Sequence, residues 1–262
     1  MITFNPFFGE EKCELKVMTW NVHCSDGADI IRQKEIAELI LEADADFVLL
    51  NEYNKKRCII IDSLISEKYP FIDDCRSHRR SGDVFYSKYA MSNSGPVYNP
   101  IIGKPIPPCK ASVAVDNDSV QIFGVHMESN HYNIINVNKN GELEKNNKQF
   151  YARYKDAQTL RCYQAECIKK EIKKYKHPVI VMGDMNDFNL SKPLMILRSC
   201  GLKDSWWCGG NGYGATYHDG WMRLRIDHIL HSDRLQLKSI KIIDTNLSDH
   251  NPLVVGFSLY NR

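Results

Sequence analysis

The sequence predicts an α/β fold built on two packed β-sheets flanked by helices. Three observations carry this. Strand-like apolar runs outnumber helical ones. Hairpin patterns alternate with strand–helix units, which argues against a purely parallel sheet. Six short polar clusters stand where apolar runs end: Asn21, Glu52, His126, Asp184-Met185-Asn186, Asp227-His228 and Asp249-His250. A buried strand gains nothing from a carboxylate or imidazole at its tip, so groups placed there serve a site. Six of them, spread along the whole chain, predict strand ends that meet in one cleft.

The elements follow in order. Leu15 to Asn21 reads as a strand. Asp29 to Glu42 carries Ile30, Ile31, Ile36, Ala37, Leu39 and Ile40 at helical spacing. Asp46 to Leu50 is a short buried strand that leads to Asn51-Glu52, and Ile59 to Lys68 reads as a helix stopped by Pro70. Strands are expected over Asp83–Ser87 and Ala111–Val115, the second joined through the Asn117-Asp118 turn to Val120–His126 as a hairpin. A polar stretch after His126 reads as a long surface loop, and Gln149 to Tyr175 as a long helix. Pro178 to Asp184 is the clearest buried strand. Ser191-Lys192-Pro193 opens a helix, with Ser191 as cap and Pro193 in its first turn. Arg225–Leu230 and Pro252–Leu259 complete the strands.

The 262 residues fit one domain over 1–262, with 1–13 as an N-terminal extension, because no linker separates the polar clusters. A net charge of +2 does not mark a strong non-specific nucleic-acid binder. Arg76–Arg80 reads as a loop, and Ile168–Lys174 as the solvated face of a helix. The 9 cysteines lack CxxC pairing and are expected as reduced thiols rather than a disulfide framework. With no signal peptide or bilayer-spanning run, the expected location is cytoplasmic. Trp206-Trp207 and Trp221 are read as core packing, with a stacking or lipid-facing rim as the alternative. Gly209 to Gly214 reads as a flexible loop without the P-loop lysine.

The chemistry-bearing residues are oxygen and imidazole donors. Asp184 and Asn186, two apart after Gly183, would share one side of an extended backbone and hold water, a cation and a phosphate oxygen. The alternative is an Asx turn. Adjacent Asp249 and His250 point apart, so Asp249 can meet a metal while His250 faces substrate. Asp227 inside an apolar run needs a partner, and pairing with His250 would fix that ring's tautomer. Glu52 is the best single metal ligand by context. Carboxylates and amides suit Mg²⁺ or Mn²⁺ rather than zinc. His23, His78, His131, His177, His218, His228 and His231 receive no catalytic role from the sequence.

In order, Thr19-Trp20-Asn21, Leu50-Asn51-Glu52, Val125–Asn130, Arg161 with Gln164, Gly183–Asp187, Arg225–Ile229 and Ser248-Asp249-His250 resemble the endonuclease/exonuclease/phosphatase superfamily. The resemblance implies a four-layer α/β/β/α sandwich of two mixed sheets. It implies Mg²⁺ or Mn²⁺ at Asn21, Glu52 and Asp249, with Asp184 activating water and Asn186 contacting phosphate. Asp227 would orient His250, and His126 would meet a non-bridging oxygen or assist the leaving group. The implied activity is metal-dependent hydrolysis of a phosphodiester or phosphomonoester in a small molecule, lipid head group or nucleic acid, by a monomer with no obligate protein partner. A DNA-repair-type nuclease and a catalytically silent binding domain are the competing readings. Two departures stand out: Asn51 replaces the Gln of many relatives, and Val22-His23 replaces the acidic residue that abasic-site endonucleases carry after the first Asn.

Overall fold

Two six-stranded mixed sheets form the centre of the computed structural model. It describes residues 13–24, 27–75, 82–98, 105–115, 118–129 and 147–260. In chain order the elements are β1 (Leu15–Asn21), α1 (Ile30–Ala43), β2 (Phe47–Tyr53), α2 (Ile59–Ile65), β3 (Phe71–Asp74), β4 (Gly82–Ser87), β5 (Met91–Tyr98), β6 (Pro105–Val115) and β7 (Asp118–His126). There follow α3 (Asn147–Ile172), β8 (Val179–Asp184), α4 (Lys192–Arg198), β9 (Leu202–Asp204), α5 (Ser205–Gly209), β10 (Tyr217–Asp219), β11 (Met222–Leu224), β12 (Asp227–Ser232), β13 (Leu235–Ile242) and β14 (Leu253–Leu259). The first sheet runs β13-β14-β1-β2-β4-β3 and the second β5-β6-β7-β8-β12-β9, while β10 and β11 form a separate hairpin. Pairs β1/β2 and β7/β8 are parallel. Strand β1 lies antiparallel to β14, with Leu15 opposite Phe257.

Alternation along the strands decides the layers. One row of each strand (Leu15 and Val17, Phe47 and Leu49, Val120 and Ile122, Ile180 and Met182) packs between the sheets. The opposite row of the first sheet, with Met18, Trp20, Val48 and Leu50, is covered by Ile36, Ile40, Ile61 and Ile65 of α1 and α2. The outer row of the second, with Phe123, Val125 and Val181, is covered by Ile168, Ile172, Leu194 and Leu197 of α3 and α4. This is the α/β/β/α sandwich. Each fully buried side chain of this kind contributes roughly 1.5–3 kcal/mol, so three apolar layers dominate the stability.

Local signals explain the helix ends. The Asp29 carboxylate accepts from Arg32 N and caps α1. Helix α2 stops at Ile65 rather than Lys68, because Lys68 N and Tyr69 N both turn back to the Ile65 carbonyl ahead of Pro70. Ser191 occupies the cap of α4 but its hydroxyl makes no capping bond. The second helical residue is Pro193, which has no N–H to offer it.

The expectation of wholly reduced cysteines is corrected. Cys75, just after β3, is disulfide-bonded to Cys109 on β6, with Cα atoms 5.7 Å apart. The bond joins one sheet to the other, a contact between positions 34 residues apart that no local spacing announces. The other seven cysteines are free thiols. The N-terminal extension (Cys13 apart), the Arg76–Arg80 segment and most of the polar stretch after His126 lie outside the described residues. No described helix is long and apolar enough to cross a membrane.

Candidate active site

The inward rows of β1, β7 and β8 end in polar residues at one rim of the sandwich. On β1 the row Leu15-Val17 continues to Thr19 and Asn21; on β7 Val120-Ile122 leads to His126; on β8 Ile180-Met182 leads to Asp184. The parallel β7/β8 register sets His126 beside Asp184. Strand β12 runs the other way, so its first residue, Asp227, lies opposite Asp184. Glu52 falls on the wrong parity for the cleft. A bulge in the β2/β4 pairing and a left-handed backbone at Glu52 (φ 53°) turn it toward the rim, a conformation that costs a non-glycine residue on the order of 1 kcal/mol.

Asp184 is the hub. Its Oδ2 accepts from Asn21 Nδ2 at 3.1 Å and lies 3.8 Å from both His126 Nε2 and His250 Nε2. Burial, then Asp227, push its carboxyl up, against the pull of both imidazoles and of Asn186 N–H. His250 Nδ1 lies 2.8 Å from Asp227 Oδ2. Burial alone would lower the His250 pKa, but Asp227 and Asp184 outweigh it and raise it to about 10. The imidazole is therefore a cation at neutral pH. Its backbone carbonyl accepts from Trp20 Nε1, and Tyr217 packs edge-on against the ring, with centroids 4.9 Å apart.

His126 lies 3.7 Å from Glu52 Oε1 and 3.9 Å from Asp83 Oδ1. Burial would lower its pKa, yet Asp184, Asp83 and Glu52 together raise it. Asp83 is the second residue of β4, which runs antiparallel to β2, so its carboxylate returns to the same rim. Burial raises Asp83 to about 6. At the mouth, Asn21 Nδ2 also donates to Glu52 Oε1 at 3.2 Å, so one amide nitrogen spans Glu52 and Asp184. Asp249 pairs with His23 Nδ1 at 3.1 Å and is tied to Asn21 through the Ser248 hydroxyl. Burial would raise Asp249, but the His23 bond and His250 hold it below the usual carboxylate range.

A scaffold of buried polar groups fixes these loops. Arg161 on α3, fully buried, bonds Asp187 Oδ2 at 3.0 Å and the Glu128 carbonyl at 2.8 Å, while Gln164 accepts from Glu128 N. Asp204 binds Arg225 and His228, and His228 Nε2 meets the Asp187 carbonyl at 2.9 Å. The loop that carries Asp184 to Asp187 is thus held from both flanks.

The structure brings together Asn21, Glu52, His126, Asp184, Asp227, Asp249 and His250. Asn186 is a correction: its left-handed backbone (φ 50°) breaks the extended chain, so it does not share a side with Asp184. Its N–H donates to Asp184 Oδ1, forming the Asx turn, and its amide donates to the Met127 carbonyl. Gly210 and Gly214 are also not a loose loop. They pack on Trp206, where a Cβ would come within 2.2 and 2.3 Å of the ring. Trp206 is core, as expected, whereas Trp207 and Trp221 are 55% and 94% exposed. Sequence reasoning passed over Asn51, Asp83 and His23. For Asp83 the signal was present, a carboxylate opening an apolar run as at Asp227.

The donor set fits a hard divalent cation. Glu52 and Asp249 supply half-exposed carboxylates at the mouth and Asn21 an amide. Asp83 Oδ2 and Asp227 Oδ1 are buried oxygens with no hydrogen-bond partner among the described residues, which adds to the negative field. Ligand atoms of Asp184, Asp227 and His250 also lie within 4.8 Å of one another. The 2.8 Å contact between Asp227 and His250 is nevertheless a hydrogen bond, and it leaves no room for an ion between them.

Comparison with known proteins bears on the family. The model of the endonuclease/exonuclease/phosphatase family matches residues 18–250. A UPF0294 protein of Vibrio cholerae is 33% identical over 94 residues, 35% of this chain. That match spans 31% of the relative's length. Truncated TDP2 of Caenorhabditis elegans has a TM-score of 0.67 at 18% identity, covering 93% of this chain and 97% of that one. The 3'-5' exonuclease of Neisseria meningitidis has a TM-score of 0.67 at 16% identity, over 93% and 100%. The human Nocturnin catalytic domain has 0.66 at 16%, over 94% of each. At such identities the likeness is one of fold.

Proposed function

The chain belongs to the endonuclease/exonuclease/phosphatase family, hydrolases of phosphoric ester bonds, and from that premise we propose a metal-dependent phosphoesterase that uses water to attack phosphorus in line. The observation that carries the reading is the convergence of Asn21, His126 and His250 on Asp184 Oδ2. A carboxylate ringed by donors, its basicity raised by burial, is suited to orient a water and take its proton.

His250, held cationic and in one orientation by Asp227, presents Nε2 toward the same point. There it would donate to a non-bridging phosphate oxygen and stabilise the charge that builds up in the transition state. His126, whose Nε2 lies 3.8 Å from the same Asp184 oxygen, would protonate the departing oxygen. The water oxygen bonds to phosphorus, its proton passes to Asp184, and the P–O bond to the leaving group breaks. Asn186, through its N–H on Asp184 Oδ1, fixes that carboxylate. Asn21, Glu52 and Asp249 would hold Mg²⁺ or Mn²⁺, which would supply Lewis-acid stabilisation of the phosphate. The balanced charge of +2 favours a small phosphate ester or head group over a long nucleic acid tracked processively, handled by a monomer.

The test is hydrolysis of bis-p-nitrophenyl phosphate, followed by a panel of plasmid DNA, abasic oligonucleotide, sphingomyelin and inositol phosphates. EDTA should abolish turnover, and Mg²⁺ or Mn²⁺ should restore it. Asp184→Asn and His250→Ala should each lower kcat by at least ~10²-fold with the fold intact. Wild-type rates in both variants would refute the assignment, and inactivity of the metal-loaded protein on every substrate would favour a silent binding domain.

A further inference from the structure

Resting on that reading, we propose that Asn51 is a positioning residue, which sets Asp184 and His126 in mutual register from the opposite sheet. Asn51 is fully buried and is the polar end of the inward row Phe47-Leu49 on β2. Its side-chain amide is used at both ends. Oδ1 accepts from the backbone N–H of Asp184 at 3.2 Å. Nδ2 donates to the Val125 carbonyl at 3.1 Å and to Asp83 Oδ1 at 2.8 Å. One side chain of the first sheet thus grips the tips of β7 and β8 in the second, and a carboxylate on β4 beside His126.

The grip bears on the reacting groups themselves. Asp184 is held at its own N–H, and His126 through the residue before it. The two tips also approach closely: a Cβ on Gly183 would fall 2.0 Å from the Val125 oxygen. Since Val125 and His126 of β7 stand beside Gly183 and Asp184 of β8, a single amide can take both. An apolar side chain of the same volume would fill the space equally well. It would leave the Asp184 N–H, the Val125 carbonyl and the Asp83 carboxylate without this partner in a buried setting. The tips would then relax, and the 3.8 Å spacing of His126 and Asp184 would drift. Small displacements of this kind are enough to cost large factors in turnover.

The experiment measures kcat and KM separately on bis-p-nitrophenyl phosphate for Asn51→Leu and Asn51→Gln, with urea unfolding alongside. Asn51→Leu should lower kcat by roughly 30- to 100-fold with KM within about twofold. Asn51→Gln keeps the amide and should recover at least about fivefold of that loss. Combined with His126→Ala, Asn51→Leu should cost less than it does alone, because part of its effect runs through His126. If Asn51→Leu does not fold, Asn51→Ser takes its place under the same thresholds. A folded apolar or Ser variant within about twofold of wild-type kcat overturns the proposal, as do equal losses in the Leu and Gln variants or a fully additive cycle. Should Asp184→Asn and His250→Ala remain inactive while Asn51 variants turn over normally, this inference fails and the phosphoesterase reading stands.

Discussion

Replacing Asp227 by Asn removes one charge from the Asp227–His250 pair, 2.8 Å apart, while keeping its shape. A histidine held at about 10 instead of 6.5 corresponds to on the order of 5 kcal/mol in favour of the imidazolium. His250 is only 6% exposed, so solvent screening takes little from this figure. Asp227 heads the causes that raise the value, ahead of Asp184, and stands 2.8 Å from the ring against 3.8 Å. Its share is then about 2–3 kcal/mol, so Asp227→Asn should move the loss of the imidazolium down by about two pH units and lower kcat chiefly on the alkaline side of neutral. The alkaline limb of the pH–rate profile should move to lower pH. Initial rates between pH 6 and 10, with the His250 ring followed by nitrogen-detected NMR, read both effects. The linkage has a definite sign. A folded value above the unfolded one stabilises fully below about 6.5, and that contribution is lost as pH rises through about 10. Urea midpoints of metal-free protein should decline across this window for the wild type and less for the variant. An unmoved alkaline limb with kcat within about threefold would refute the reasoning.

Two further outcomes concern the scaffold. Gly183→Ala places a Cβ 2.0 Å from the Val125 carbonyl oxygen on a backbone at φ 137°; urea unfolding should show a loss of several kcal/mol (~3 or more) or no soluble protein. His231, beside the Ser205 hydroxyl at 2.8 Å, is pushed down to about 4, first by burial and then by Lys203. Its neutral form is favoured in the folded state. The associated stability is present above about 6.5 and is lost as pH falls toward about 4, in the amount of roughly 3 kcal/mol. His231→Gln should flatten that part of the acid limb, and identical acid limbs would count against the assignment.

Most of the rim was legible because a polar residue that closes an apolar row is conspicuous in one dimension. Asn21, His126, Asp184 and Asp227 all stand out this way, and parity alone then aims them into the inter-sheet space. What escaped depends on pairing. Asp83 reaches the rim only because β4 is antiparallel to β2, and a strand's direction is not written in its own residues. Asn51 reads as an ordinary amide until three strands are seen to close on it. His23 meets Asp249 across 226 positions. Asn186 misled because the extended chain was assumed to run one residue too far, past the point where Asp184 captures its N–H. The Cys75–Cys109 bond crosses from sheet to sheet, where spacing carries no signal.

The antiparallel seam between β1 and β14 has a practical consequence. Leu15 sits opposite Phe257, and Glu14 N–H reaches the Phe257 carbonyl, at the end of the sandwich remote from Asn21 and Asp184. A short tether from Tyr260 back to Glu14 would close the backbone into a ring without crossing the reactive rim. New ends could then be cut between β6 and β7, beside Asp118, which starts a strand that reaches the rim only at His126. A circular permutant of this design should keep its chemistry, which would make the seam a place to attach a surface, a label or a second protein.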